Sequence, residues 1–147
     1  MVRVLFICVH NVGRSQMAEG FFNQRAAERG IAARAWSAGT HAVGKLNPQV
    51  VQAMEEVGVS IADRKPKQIM QWDVNFADRV ITMHCGVDPQ RCPVNLGVRA
   101  EDWGLDDPAG KPIEEVRRIR DQVSAKVDAL LDEIAALGPD ARKAFRR

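Results

Sequence analysis

The sequence contains no tyrosine, and its 147 residues include only five phenylalanines and three tryptophans. Tyrosine is therefore excluded from any binding wall, and Trp36, Trp72 and Trp103 are expected to be packing residues rather than ligand contacts. No apolar run approaches the roughly 20 residues needed to cross a bilayer. The opening run Val4 to Val9 is too short for a signal-peptide core and lacks a cleavage pattern, so the expectation is a cytoplasmic protein with no membrane partner. Charge of one sign is lacking too: 21 basic residues against 19 acidic leave a net +2, which gives no bulk field for nucleic acid. Repeats, low-complexity stretches and a nucleotide-binding fingerprint are likewise missing. Cysteine is scarce and odd in number, at three. That count argues against a disulfide framework and fits thiol chemistry in a reducing compartment.

What remains is the composition of one compact domain, 46% hydrophobic and 27% charged. Val2 to Cys8 is rich in β-branched and large apolar residues, as a strand buried on both faces requires. A helix is expected from Ser15, capped by that serine, with Met17, Ala18, Phe21 and Phe22 on its inner face and Gly30 as its stop. A second strand fits Ala33 to Ser37. Asn47-Pro48 then caps a helix carrying Val50, Val51, Met54 and Val57, ended by Gly58. A short helix around Lys67 to Trp72 and a lead-in over Asp73 to Asp78 precede a third buried strand, Arg79 to Met83. Gly86 to Pro108 reads as a long loop with a short strand near Trp103. From Pro112 the spacing of Ile113, Val116, Ile119, Val123, Val127, Leu130, Leu131 and Ile134 makes one apolar helical face, ending at Gly138-Pro139. The expected domain is therefore 1–138, followed by a frayed basic tail over 139–147.

Alternating strands and helices imply an α/β fold with an open parallel sheet, in which ligands bind beyond the carboxyl ends of the strands. Cys8 and Cys85 both fall at such ends. The densest signal is Cys8-Val9-His10-Asn11-Val12-Gly13-Arg14-Ser15, where a cysteine stands before a tight loop, an arginine and a helix start. Amide N–H groups of such a loop can turn inward as a nest, and the helix N-terminus adds positive potential. Arg14 can clamp two oxygens in a planar fork, so Val9 to Ser15 form a cradle for a tetrahedral dianion. The same field favours the thiolate of Cys8, to which the Ser15 hydroxyl can donate. The blander alternative is a buried strand-end cysteine beside a surface arginine. His10 is expected to be a loop residue without a chemical role.

On the segment Cys8 to Gly20, with Trp36-Ser37-Ala38-Gly39, Cys85, Cys92-Pro93 and Trp103 to Gly110, the chain resembles the arsenate reductases built on the low-molecular-weight tyrosine phosphatase fold. The resemblance spans nearly the whole chain. It implies a four-stranded parallel sheet flanked by helices, with Cys8 as nucleophile and Asn11, Arg14 and Ser15 shaping the loop. It also implies Asp107, directly before Pro108, as general acid, although locally Asp106-Asp107 could simply cap a turn. A phosphatase needs one cysteine, whereas reducing arsenate to arsenite takes two electrons, which two thiols can deliver by forming a disulfide. The implied relay passes oxidation from Cys8 to Cys85 and then Cys92, with thioredoxin as electron donor and no bound cofactor or metal. A monomer is expected, with arsenate and thioredoxin as partners.

Two departures from the family pattern stand out. Gly13 occupies a position where many relatives have another cysteine, and Val9-His10 replaces a threonine-glycine pair. Some relatives hold potassium beside the cradle through residues matching Asn11, Glu19 and Ser37 plus an aspartate. Here that region reads Lys65-Pro66-Lys67, so Lys67 is expected to supply the positive charge. Alternatively, Glu19 is a solvent-facing helical carboxylate. Competing functions are a low-molecular-weight tyrosine phosphatase and an oxyanion-binding redox sensor. A zinc site using His84, Cys85 and Cys92 is disfavoured by the lack of closely spaced cysteine pairs.

Overall fold

The computed structural model describes residues 1–83 and 100–146. Cys85, Cys92, His84 and most of the expected loop from Gly86 lie outside the described residues. The first strand, β1 (Val2–Cys8), runs through the middle of a parallel sheet, and six of its seven residues are buried. It pairs on one side with β2 (Ala33–Gly39) and on the other with β3 (Arg79–Thr82). A short outer strand, β4 (Ala100–Asp102), pairs with β3 and completes the order β2-β1-β3-β4. This is the four-stranded parallel sheet expected from the sequence, with the extra strand just ahead of Trp103.

Helix α1 (Arg14–Glu28) follows β1 and buries Met17, Ala18, Phe21 and Phe22 against the sheet. It begins one residue earlier than expected, with Gly13 at the cap position and no side-chain cap bond. Ser15 is therefore not the cap; its hydroxyl is spent on Cys8 and Asn11. Helix α2 (Pro48–Glu55) is capped as expected by Asn47, whose side chain accepts from the Gln49 N–H at 3.0 Å. Gly58, at φ 79°, takes the left-handed turn after α2, leaving Val57 outside the helix and exposed.

The expected helix over Lys67 to Trp72 is displaced. Lys67 to Ile69 instead run beside Gly39, with Gly39 N–H donating to Lys67 and Ile69 N–H donating to Gly39. Helix α3 (Gln71–Phe76) starts only after that pairing, so most of the expected lead-in to β3 is helical. Trp72 stands 62% exposed on α3, contrary to the packing role expected of it. Trp36 is half-buried and donates to Asp73 at 2.9 Å, and Trp103 packs on Phe6 with ring centroids 5.4 Å apart.

Helix α4 (Ile113–Leu137) buries Val116, Ile119, Val123, Val127, Leu130, Leu131 and Ile134, the face its spacing dictates. Each such side chain contributes roughly 1.5–3 kcal/mol relative to exposure. The expected frayed tail is ordered: a 3-10 turn (Gly138–Asp140) leads into α5 (Ala141–Phe145), which buries Ala141 and Phe145. Polar contacts complete the docking, because Arg142 and Arg146 both donate to the fully buried Asp78.

Candidate active site

The loop between β1 and α1 closes over Cys8, which is buried at the carboxyl end of the central strand. Its Sγ lies 2.8 Å from Ser15 Oγ and accepts from the Asn11 N–H at 3.2 Å. Two groups able to donate, the Ser15 hydroxyl and the Asn11 N–H, therefore converge on one sulfur. The sharp reversal of the loop falls on Asn11, whose φ of 58° is left-handed and which is the only non-glycine with positive φ among the described residues. Asparagine tolerates that region better than most side chains. Its amide secures the turn: Nδ2 donates to Ser15 and Ser37, and Oδ1 accepts from Gln16 and the Lys67 N–H.

The neighbouring backbone is tied down by β2 and the segment after it. Thr40 N–H donates to Cys8, His41 N–H to Val9 and Asn47 N–H to Val12. Gly39 is required by that proximity, since a Cβ there would sit 2.6 Å from the Val9 carbonyl oxygen. His10 is exposed on the rim of the cavity.

Arg14 is buried at the start of α1. Its Nη1 donates to the Met83 carbonyl at 2.6 Å and to the Leu105 carbonyl at 2.8 Å, while Nη2 lies 3.7 Å from Asp107 Oδ2. Part of the guanidinium fork thus fixes the arginine against the end of β3 and the loop after Trp103. That anchoring is not legible in the sequence, because Met83 and Leu105 meet only through the sheet. Asp107 is 58% exposed, with Oδ1 accepting from the Ala109 N–H at 3.0 Å. Cys8 to Arg14, Asp107 and Ala109 line a cavity of about 220 Å³. Asp106 points away to Arg118, which separates the two adjacent aspartates.

Below the cradle, Glu19 is 4% exposed, which rules out the solvent-facing alternative. Ser37 donates to Glu19 at 3.0 Å, and Lys67 Nζ reaches the same carboxylate oxygen at 3.1 Å. Arg64 pairs with the other oxygen. Sequence reasoning misses Arg64, although it stands in the same basic run as Lys67. Burial, and then the Arg64 guanidinium, pull the Lys67 ammonium below its ordinary value against the attraction of Asp73. Gln16 is missed as well; its Nε2 links Asn11 to the Lys65 carbonyl. Cys8, Asn11, Arg14, Ser15, Glu19, Ser37, Lys67 and Asp107 thus come together. The cysteines at 85 and 92 lie outside the described residues.

The family model for low molecular weight phosphotyrosine protein phosphatases matches residues 3–140, a span that includes the cradle, Asp107 and all of the sheet except Val2. The chain belongs to this phosphatase family. Within it, the chain is 36% identical over 127 residues to arsenate reductase 2 of Staphylococcus haemolyticus, covering 86% of this chain and 93% of that protein. A solved arsenate reductase in the phosphate binding state superposes with a TM-score of 0.78 at 33% identity, over 91% of this chain and 99% of the other. The thioredoxin-dependent arsenate reductase of Corynebacterium glutamicum gives 0.75 at 32% identity, over 94% of this chain and 64% of that one. Members of the phosphatase family thus include reductases similar to this chain along most of its length.

Proposed function

We propose that this protein is a cytoplasmic arsenate reductase that draws its electrons from thioredoxin. The observation that carries the reading is the Cys8 sulfur, held by Ser15 and the Asn11 amide beneath a mouth framed by Arg14 and Asp107. A tetrahedral dianion is the natural occupant of a small cradle with a helix N-terminus and a guanidinium on its walls. No phenylalanine or tryptophan lines the cavity among the described residues, and Ala109 stands at the mouth. This favours a free oxyanion over an aryl phosphate ester.

In the proposed chemistry, the Cys8 thiolate attacks arsenic to form a sulfur–arsenic bond, and Asp107 gives its proton to the oxygen that departs as water. Arg14 and the loop amides bear the negative charge as it redistributes. The Cys85 thiolate then attacks the Cys8 sulfur. A disulfide forms, the sulfur–arsenic bond breaks, and its electron pair stays on arsenic, which leaves as arsenite. Cys92 next attacks Cys85, freeing Cys8 and leaving a Cys85–Cys92 disulfide. The dithiol of thioredoxin reduces that bridge. Glu19, Ser37 and Lys67 hold the cradle from below, with Arg64 as a second cation, so turnover is expected to be independent of potassium.

The test is NADPH oxidation on adding arsenate, reconstituted with thioredoxin and thioredoxin reductase, beside parallel glutathione and mycothiol systems. Activity with thioredoxin is expected. Activity only with a low-molecular-weight thiol would overturn the donor, and none with any system would overturn the reductase. For the relay, Cys92→Ser should accumulate a Cys8–Cys85 disulfide after one turnover, and a peptide map without it rejects the proposed order.

A further inference from the structure

On the sheet face turned away from α1 and α4, aromatic and basic side chains form one continuous surface. Arg34 and Trp36 alternate along β2 with Ala33 and Ala35, so the two share a face. Arg3 pairs in register with Arg34. Helix α3 lies over these residues: Phe76 packs against Trp36 with ring centroids 5.6 Å apart, and the Arg3 guanidinium stands 3.9 Å from the Phe76 centroid. Trp72 continues the row, 6.3 Å from Phe76, and the two side chains are 62% and 46% exposed. Large apolar side chains scattered singly are ordinary on a surface, whereas a contiguous group with a polar rim marks an interaction site. At the foot of α3, Arg146 donates to the carbonyls of Asn75, Phe76 and Ala77, which brings α5, with Arg142 and Lys143, to the same edge.

The charge on this surface has one sign. Strands β1 and β2 and helix α5 contain no carboxylate, and the two between Met70 and Arg79, Asp73 and Asp78, are both buried. Asp73 accepts from Trp36 and the Met70 N–H, and Asp78 is shared by Arg3, Arg142 and Arg146. Three guanidinium groups on one carboxylate leave positive charge over. Arg34 and Lys143 add to it, since both are exposed and have no ion pair among the described residues. We propose that this face docks an acidic protein segment, whose carboxylates lie along Arg34, Arg142 and Lys143 while an apolar side chain covers Trp72 and Phe76. Tryptophan, phenylalanine and arginine are the residues that interface centres favour. A second copy of this chain would set like charges against each other. A nucleic-acid strand needs open rings for successive bases, whereas Phe76 has one face under Arg3 and Trp36 is half-buried, which leaves Trp72. None of these side chains lines the cavity above Cys8, so the inference is independent of the reductase reading.

The experiment is an NMR titration of the isotope-labelled full chain, its cradle saturated with inorganic phosphate, with a synthetic peptide carrying leucines between runs of glutamate. Chemical shifts are expected to move at the Trp72 indole, Phe76 and Arg34, and the affinity to fall about fivefold between ~20 and ~200 mM salt. Trp72→Ala and Arg34→Glu should each weaken binding about tenfold, the first by removing the apolar anchor point and the second by reversing a charge. Both variants should leave the rate of Cys8 alkylation by iodoacetamide within about twofold of the unsubstituted protein, because a change confined to this face does not reach the cradle. Equal binding by a peptide with glutamine in place of glutamate, or with alanine in place of leucine, would overturn the proposal. Shifts confined to other residues, or no binding at millimolar peptide, would do the same. Tighter binding of oligothymidylate or of phosphatidylglycerol vesicles than of the peptide would also overturn it, and would give the face to nucleic acid or to a membrane surface.

Discussion

At the scale of single residues, the cradle depends on a few buried polar side chains that each serve several partners. Asn11 is fully buried, and its amide makes four hydrogen bonds, to Ser15, Ser37, Gln16 and the Lys67 N–H. Replacing it by alanine strands those partners and leaves a left-handed turn without the side chain that secures it. Asn11→Ala is therefore expected to cost about 2–3 kcal/mol, measured by urea unfolding. Ser15 acts more locally, through its 2.8 Å contact with the sulfur. Ser15→Ala should slow Cys8 alkylation by iodoacetamide at neutral pH about tenfold, the worth of one hydrogen bond to a charged sulfur. An unchanged alkylation rate would mean that the hydroxyl does not support the thiolate. The sequence alone makes both residues candidates, since both fall in the run from Cys8 to Ser15 that forms the cradle.

At the scale of elements, the last helix is held by charge as well as by apolar contact. Burial opposes ionisation of Asp78, yet Arg146, the Arg3 N–H and Arg142 together hold its carboxyl below the ordinary value of 3.8. Both guanidinium groups come from α5 or the residue following it, so Asp78 fastens the end of the chain to the start of β3. Asp78→Asn should lower stability by about 1–3 kcal/mol, because the arginines left behind are partly open to water. Limited proteolysis should then cut first near Gly138. If α5 remained protected in that variant, the apolar contacts of Ala141 and Phe145 would be its main attachment. By composition alone this segment reads as a frayed tail. The partner that orders it lies more than 60 residues away in sequence, and no local pattern reports such a contact.

For the whole molecule, that same group gives stability a definite pH dependence. A carboxylate whose folded-state value is depressed contributes stability that is present in full above the unfolded value. The contribution is lost as pH falls through the folded value. Stability measured by urea midpoint should therefore decline below about pH 4, and Asp78→Asn should flatten the decline; an equally steep fall in the variant would assign it to other carboxylates. Much of the molecule is legible in one dimension. The buried strand β1, the capped helix α2, the apolar face of α4 and the eight-residue cradle are all local patterns, because chain period and turn chemistry act between near neighbours. Other features exist only after the sheet brings distant segments together. These include the pairing of Lys67 to Ile69 with Gly39, which delays α3, and the anchoring of Arg14 on Met83 and Leu105. The second cation on Glu19 and the close fit of Pro108 over Gly13 belong with them. The chemistry was thus written in residue types and their short spacing. Its geometry was decided by long-range packing, whose energies depend on distances that no sequence interval encodes.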